Sequence, residues 1–233
     1  MCNINKNEYK KNLNISFLKK DSVNIYKSLY EETIEECISF NKKLIWNREV
    51  ENILLADNAE DLIQVFKLRS SIYNQIGYNK EFEDPIKGLN FDKYDNNSAV
   101  LYYKQNNIIT GTTRLIYDSK KGLPSEKIFS FSNLRKEYSK IGELSRLIIK
   151  NQEGLGLEFK NIMASIYYFF ISNEIDITLL GIKQEHYKMY DRFGGSEIIQ
   201  EIGNYGQINL PALILSWDPN KVSIFFKKLF LKK

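Results

Sequence analysis

Residues 141–150 read IGELSRLIIK, and residues 151–156 continue as NQEGLG. The first run has the apolar content of a buried strand, yet Glu143, Ser145 and Arg146 stand within its first six residues. Side chains of a regular strand alternate between faces, so Glu143 and Arg146, three apart, point to opposite sides. They share a site only if a β-bulge adds a residue and shifts the parity. The stretch therefore predicts a bulge or a splay between Glu143 and Arg146. Behind it comes an apolar helical run, GLEFKNIMASIYYFFISNE (156–174), and then a second strand-like run, DITLLGI (176–182). Strand, helix and strand in succession require parallel pairing and a right-handed crossover.

Working outward, VENILLA (50–56) reads as a strand and AEDLIQVFKLRSSIYNQIGY (59–78) as a helix capped by Asn58. AVLYYK (99–104) and IITGTTRLIYD (108–118) are joined by Gln105-Asn106-Asn107, a hairpin signal. After a Gly-Leu-Pro break, residues 128–138 are partly helical. QEHYKMYDRF (184–193) forms a short helix, and 197–217 reads as a closing pair of strands. Hairpins give antiparallel pairs, so the expected fold is α/β with a mixed sheet flanked by helices. Residues 1–48 form an N-terminal helical extension and 49–233 one domain, without internal repeats.

Composition narrows the function classes. With 43% hydrophobic and 27% charged residues, the 233-residue chain has the make-up of a soluble globular protein. No apolar run approaches the roughly 18–20 residues of a bilayer span. The N-terminal MCNINKNEYKKNLN lacks the apolar core of a secretory signal. Two cysteines and a single histidine argue against a disulfide framework and against a zinc site, and place the chain in a reducing cytoplasm. The net charge is +4, with basic clusters in NKNEYKKN (5–12) and FFKKLFLKK (225–233). Such clusters are ordinarily solvated faces. The sharper reading is docking to an acidic partner, or membrane contact through the amphipathic C-terminus. No nucleic-acid module is present.

Three constellations could carry chemistry. In NQEGLG, Asn151, Gly154, Leu155 and Gly156 sit between a strand and a helix, where backbone amides can approach an anion. Glycines there also serve ordinary turns. In YKMYDRFGG (187–195), Tyr190 either packs or donates a proton. The third is a charged set: Arg69 in KLRSSIY, Asp92 and Asp95 in FDKYD, Arg114 in GTTRLI, and Glu143 with Arg146. Arginines within apolar strands need carboxylate partners if they point inward. The set is either a structural ion-pair network or a polar cleft for an amine or zwitterion.

In this order, the pieces resemble the GNAT acyltransferase superfamily, whose loop after the fourth strand cradles an acyl carrier's pyrophosphate. Gly154 and Gly156 match that loop, and Asn151 stands where the family has Arg or Gln. Tyr190 and Gly194 match a tyrosine–glycine ending that often protonates the leaving thiolate, although Gly195 replaces the usual Phe. The likeness is closest to acyl-homoserine lactone (autoinducer) synthases and N-acyl amino acid synthases. Arg69 with Tyr73, the pair Asp92 and Asp95, Gly111 with Arg114, and the Glu-x-Ser-Arg strand at Glu143, Ser145 and Arg146 carry it. Gly77-Tyr78 replaces the tryptophan of the lactone synthases, which favours the N-acyl amino acid side.

The resemblance, over roughly Val50 to Trp217, implies a largely antiparallel GNAT-like sheet with a splayed parallel pair. It implies an N-acyltransferase moving a fatty acyl group to an amino acid or related amine. The donor would be an acyl carrier protein (through 4'-phosphopantetheine), favoured over acyl-CoA, with no permanently bound cofactor. Glu143 would be the base and Tyr190 the acid, with Arg69, Asp92, Asp95, Arg114, Ser145 and Arg146 around the substrate. Phe159, Ile162, Met163, Tyr167 and Phe170 could line an acyl tunnel, or pack as core. Rival readings are a short-chain acetyltransferase using acetyl-CoA and a non-catalytic carrier-binding module.

Overall fold

The computed structural model describes residues 27–150 and 156–231. Residues 27–41 are helical (α1), and the chain then enters a seven-stranded sheet of order β1-β2-β3-β4-β5-β7-β6. The strands are β1 (Ile53–Leu55), β2 (Ser98–Gln105), β3 (Ile108–Tyr117), β4 (Ile141–Ile149), β5 (Ile177–Lys183), β6 (Ser196–Tyr205) and β7 (Leu210–Trp217). Every neighbouring pair is antiparallel except β4 and β5, which run parallel across the helix α4 (Leu157–Ser172). The other helices are α2 (Ala59–Gln75), α3 (Leu134–Glu137), α5 (Tyr187–Phe193) and α6 (Ile224–Phe230). Among the described residues no helix is long and apolar enough to cross a membrane.

Local chemistry accounts for the element ends. The Asn58 side chain accepts the Asp61 amide at 2.9 Å and starts α2. Asn106 and Asn107 both take positive φ, 51° and 62°, which suits a two-residue hairpin turn whose twist matches the strands. At Gly111 a Cβ would lie 2.7 Å from Ile162 Cδ1, so a larger residue would have to push that terminal methyl aside where α4 packs on β3. Gly194 ends α5 at φ 75°, and its carbonyl accepts the Trp217 indole N–H.

The two sheet faces are covered differently. On one, Leu101, Leu115, Leu144, Leu180 and Leu215 pack against α4, α5 and α6 in one large core. Ile162, Met163 and Phe170 are buried in it, with Phe159 and Tyr167 partly buried against it, so all five expected tunnel residues take part in core packing. On the other face α2 covers Val100, Tyr102 and Ile148, while the segment after β3 covers Ile116, Ile141 and Leu179. The charged set occupies the gap between these two apolar clusters.

Helix α1 is tied into the domain rather than hanging from it. Asn41 Nδ2 donates to the Ser98 carbonyl at 2.8 Å, and its Oδ1 accepts the Val100 amide at 2.9 Å. One side chain thus supplies β2 with the partners that short β1, ending at Leu55, does not reach. Cys37 is buried one turn earlier on the same helix.

Candidate active site

The site begins with an irregularity in β4. Ser145 pairs with Arg114 and Ile148 with Thr112, so two β4 residues stand opposite one on β3. Arg146 occupies this bulge with φ 56°, a left-handed conformation costing a non-glycine residue roughly 1–2 kcal/mol. The extra residue moves Ile148 onto the face of Glu143 and Ser145, while Leu147 and Ile149 join Leu144 on the other. Arg146 itself reaches Asp92 Oδ2 at 2.9 Å and lies 4.3 Å from the Phe82 ring centre and 5.2 Å from that of Tyr73. Its ion pair and stacking offset the backbone strain. The parity conflict between Glu143 and Arg146 is resolved by the bulge.

A second irregularity coincides with it. The parallel ladder between β4 and β5 ends at Leu144 and Leu180, although β4 runs on to Ile149 and β5 to Lys183. Beyond Leu144 the strands part, and β4 has backbone groups no longer paired across to β5. Such splayed amides are available to a developing oxyanion.

The arginines and aspartates form one buried chain of charges. Arg69, fully buried on α2, donates to Asp95 Oδ1 at 2.8 Å. Arg114 bridges Asp95 Oδ2 at 2.9 Å and Asp92 Oδ1 at 2.8 Å, and its Nε donates to Ser145 Oγ at 3.0 Å. Arg146 completes the chain on Asp92. Burial works against the Asp92 charge, but Arg114 and Arg146 together hold its carboxyl well below the usual range. The aspartates also shape their own turn: Asp95 Oδ2 accepts the Asp92 amide and Asp92 Oδ1 the Tyr94 amide. Among the described residues, Arg146 Nη1, and Arg69 Nε and Nη2, are buried donors with no acceptor.

Glu143 stands at the mouth of the splay, 5% exposed. Its Oε2 accepts the Ser125 amide at 3.0 Å and its Oε1 the Ser125 hydroxyl at 2.9 Å. Burial pushes its carboxyl up to about 7, against the opposing pull of the Ser125 bonds and of Arg114. A carboxylate so placed takes and returns a proton near neutral pH.

Tyr190 sits on α5 within the core of the opposite sheet face, with its ring 5.6 Å from that of Phe193. Burial pushes its hydroxyl up to about 12, so it stays protonated. Gly156 is the N-cap of α4 and brings no side chain to the first-turn amides. Asn151, Gly154 and Leu155 lie outside the described residues.

The structure thus gathers Arg69, Asp92, Asp95, Arg114, Glu143, Ser145 and Arg146 on one face and puts Tyr190 across the sheet. It adds residues that the sequence reading did not select. Ser125 clamps Glu143 from a turn 18 positions earlier. Phe82 stacks on Arg146, and half-buried Tyr205 feels both Glu143 and Arg146. None has a local signal: Ser125 follows a proline in an ordinary turn, and Phe82 lies in a charged loop.

The family described as N-acyl amino acid synthase FeeM matches residues 64–218. Among solved structures, FeeM, an N-acyl amino acid synthase from uncultured soil microbes, aligns with a TM-score of 0.55 and 18% identity, over 72% of this chain and 95% of that one. BjaI, a CoA-dependent acyl-homoserine lactone synthase solved with SAM and isopentyl-CoA, gives 0.57 and 18%, over 73% and 81%. LasI, an acyl-homoserine lactone synthase, gives 0.55 and 19%, over 78% and 96%. At these identities the superpositions establish a common fold. No curated protein sequence matches the chain.

Proposed function

The chain belongs to the family of the N-acyl amino acid synthase FeeM and is an N-acyltransferase; we propose that it moves a fatty acyl group from acyl carrier protein to the amine of an amino acid. The observation that carries this reading is the Glu143 carboxyl, clamped by Ser125 where β4 and β5 part. A free α-amine has a pKa of roughly 7.7–8.0. Against Glu143 at about 7, its deprotonation costs only about 1 kcal/mol.

The steps balance without a covalent enzyme intermediate. Glu143 takes a proton from the ammonium, and the neutral amine attacks the thioester carbonyl. The oxyanion accepts from a β4 amide beyond Leu144. As the C–S bond breaks and the C–N bond remains, Tyr190 gives its proton to the leaving thiolate from the other sheet face. The second proton shed by the amide nitrogen passes through solvent to restore the tyrosine hydroxyl, and Glu143 releases its own proton to solvent before the next turn. The free Nη1 of Arg146 suits the acceptor's carboxylate, with Asp92, Arg114 and Ser145 fixing its orientation. Arg69 and Asp95, deeper in, hold the chain of charges together. Asn151, Gly154, Leu155 and Gly156 would cradle the donor's phosphate.

Carrier protein is favoured as donor because exposed Lys221, Lys227 and Lys228 continue the basic C-terminal sequence. Purified protein offered long-chain acyl carrier protein, long-chain acyl-CoA and acetyl-CoA in parallel, with mixed amino acids, tests this. The expected result is an N-acyl amino acid from the carrier-bound chain at the highest kcat/KM. Preference for acetyl-CoA would overturn the donor assignment, and donor binding without thiol release from any substrate would overturn the catalytic reading of this site.

A further inference from the structure

We propose that Ser125 is a positioning residue for acyl transfer: it fixes the Glu143 carboxylate at the splay and sets the pH range over which that carboxylate accepts a proton. This rests on the reading of Glu143 as the base. Both carboxylate oxygens are engaged by one residue, Oε2 by the Ser125 amide at 3.0 Å and Oε1 by its hydroxyl at 2.9 Å. Two donors from one residue fix the plane of the carboxyl as well as its place, and leave its remaining lone pairs to the incoming amine.

The clamp is itself braced. Ser125 lies in the single 3-10 turn Pro124–Lys127, where proline opens the turn and Glu126 Oε2 accepts the Leu123 amide at 2.7 Å. Arg135, just inside α3, pairs with Glu126 and also with Asp118 at the end of β3. Leu123 and Phe131 anchor the segment in the apolar cluster around Ile116 and Leu179. Residues 118–138 thus form a bracket from β3 across to β4. Its outer ion pairs are solvent-facing, while the contact it delivers is buried.

Other groups facing Glu143 sharpen the expected sign. Arg114 on β3 favours the charged form, while Glu126 on the bracket disfavours it. Tyr94, in the aspartate turn, and Tyr205, at the end of β6, are neutral hydroxyls that also sense the Glu143 charge. The Ser125 hydroxyl bond favours the carboxylate, so its loss makes Glu143 harder to ionise.

The test is the pH profile of kcat/KM for Ser125→Ala and Ser125→Thr beside the native enzyme, with folding checked by thermal melting. Ser125→Ala keeps the amide bond and loses the hydroxyl. Its acid limb is expected to move up by about one pH unit, giving a roughly tenfold loss below the limb that fades by about pH 9. Ser125→Thr, which retains the hydroxyl, should restore the native limb. An unmoved limb, or the same loss at every pH in a folded Ser125→Ala, would overturn the proposal. Should Ser125→Ala fail to fold, the carboxyl carbon-13 titration of Glu143 in Ser125→Thr and native protein replaces it. Glu143 titrating differently in Ser125→Thr, which keeps both donors, refutes the clamp, and an unchanged titration supports it. If instead Glu143→Gln retains full turnover, the base assignment itself fails, whatever the serine variants do.

Discussion

As the proposed base, Glu143 pulls stability and activity in opposite directions. Its folded pKa of about 7 lies above the ordinary 4.5, so the folded state holds this proton more tightly than the unfolded chain does. The resulting stability is fully present below about pH 4.5 and is lost as pH rises through 7. Glu143→Gln, which cannot ionise, should therefore be more stable than the native protein at pH 8, by about 1–3 kcal/mol, and equal to it near pH 4.5. Denaturant melts at the two pH values check this, and equal stability at pH 8 would contradict the raised pKa. Asp92 behaves in the opposite sense. Its carboxyl is held low by Arg114 and Arg146, and its side chain is 29% exposed, which moderates the loss on substitution. Asp92→Asn should cost about 2–3 kcal/mol, because it leaves two buried guanidinium groups short of a partner. Urea unfolding at neutral pH measures it.

At the scale of elements, the bulge in β4 is the feature on which the site turns. The strand IGELSRLIIK showed its conflict openly, because three-residue spacing and a shared site cannot both hold in a regular strand. The conflict calls for a bulge between Glu143 and Arg146 without fixing which residue occupies it. Arg146 does, and the backbone strain at φ 56° is separable from the loss of the side chain. Arg146→Ala and Arg146→Gly both remove the Asp92 ion pair and the stacking on Phe82 and Tyr73. Glycine accepts positive φ, so Arg146→Gly should be more stable than Arg146→Ala by about 1 kcal/mol, as read by thermal or denaturant melts. Both should lose most of their activity. Ser125 was illegible for a different reason. Its contact to Glu143 spans a loop whose course is set by Leu123 and Phe131 packing and by Arg135, and no periodicity encodes that path.

For the molecule as a whole, the order of elements around the β4–α4–β5 crossover was readable from strand and helix periods, the Asn-Asn hairpin and the Gly194 cap. That Arg114 and Arg146 need carboxylate partners follows from charge, since buried arginines require acids; Arg69 and the pair Asp92 and Asp95 are marked by the family resemblance as well. Depth was not readable: nothing in YKMYDRFGG says how deeply Tyr190 sits, and it lies in the core across the sheet from Glu143, so the acid proposed for the leaving thiolate acts from that face. The extension before Val50 had no evident role in the sequence, yet Asn41 closes two buried backbone groups of β2. Asn41→Ala should cost about 2–4 kcal/mol through those unpaired groups, with little change in activity per folded molecule. Thermal melting with an active-site-normalised assay separates the two.

Everything proposed for the site rests on Glu143 as the base for acyl transfer onto an amino acid amine. The most direct measurement of that role is product mass spectrometry with long-chain acyl carrier protein and an equimolar amino acid mixture, comparing native protein with Glu143→Gln at pH 7. An N-acyl amino acid from the native enzyme, falling at least about a hundredfold in Glu143→Gln, is the predicted result. Equal product from both proteins would contradict it.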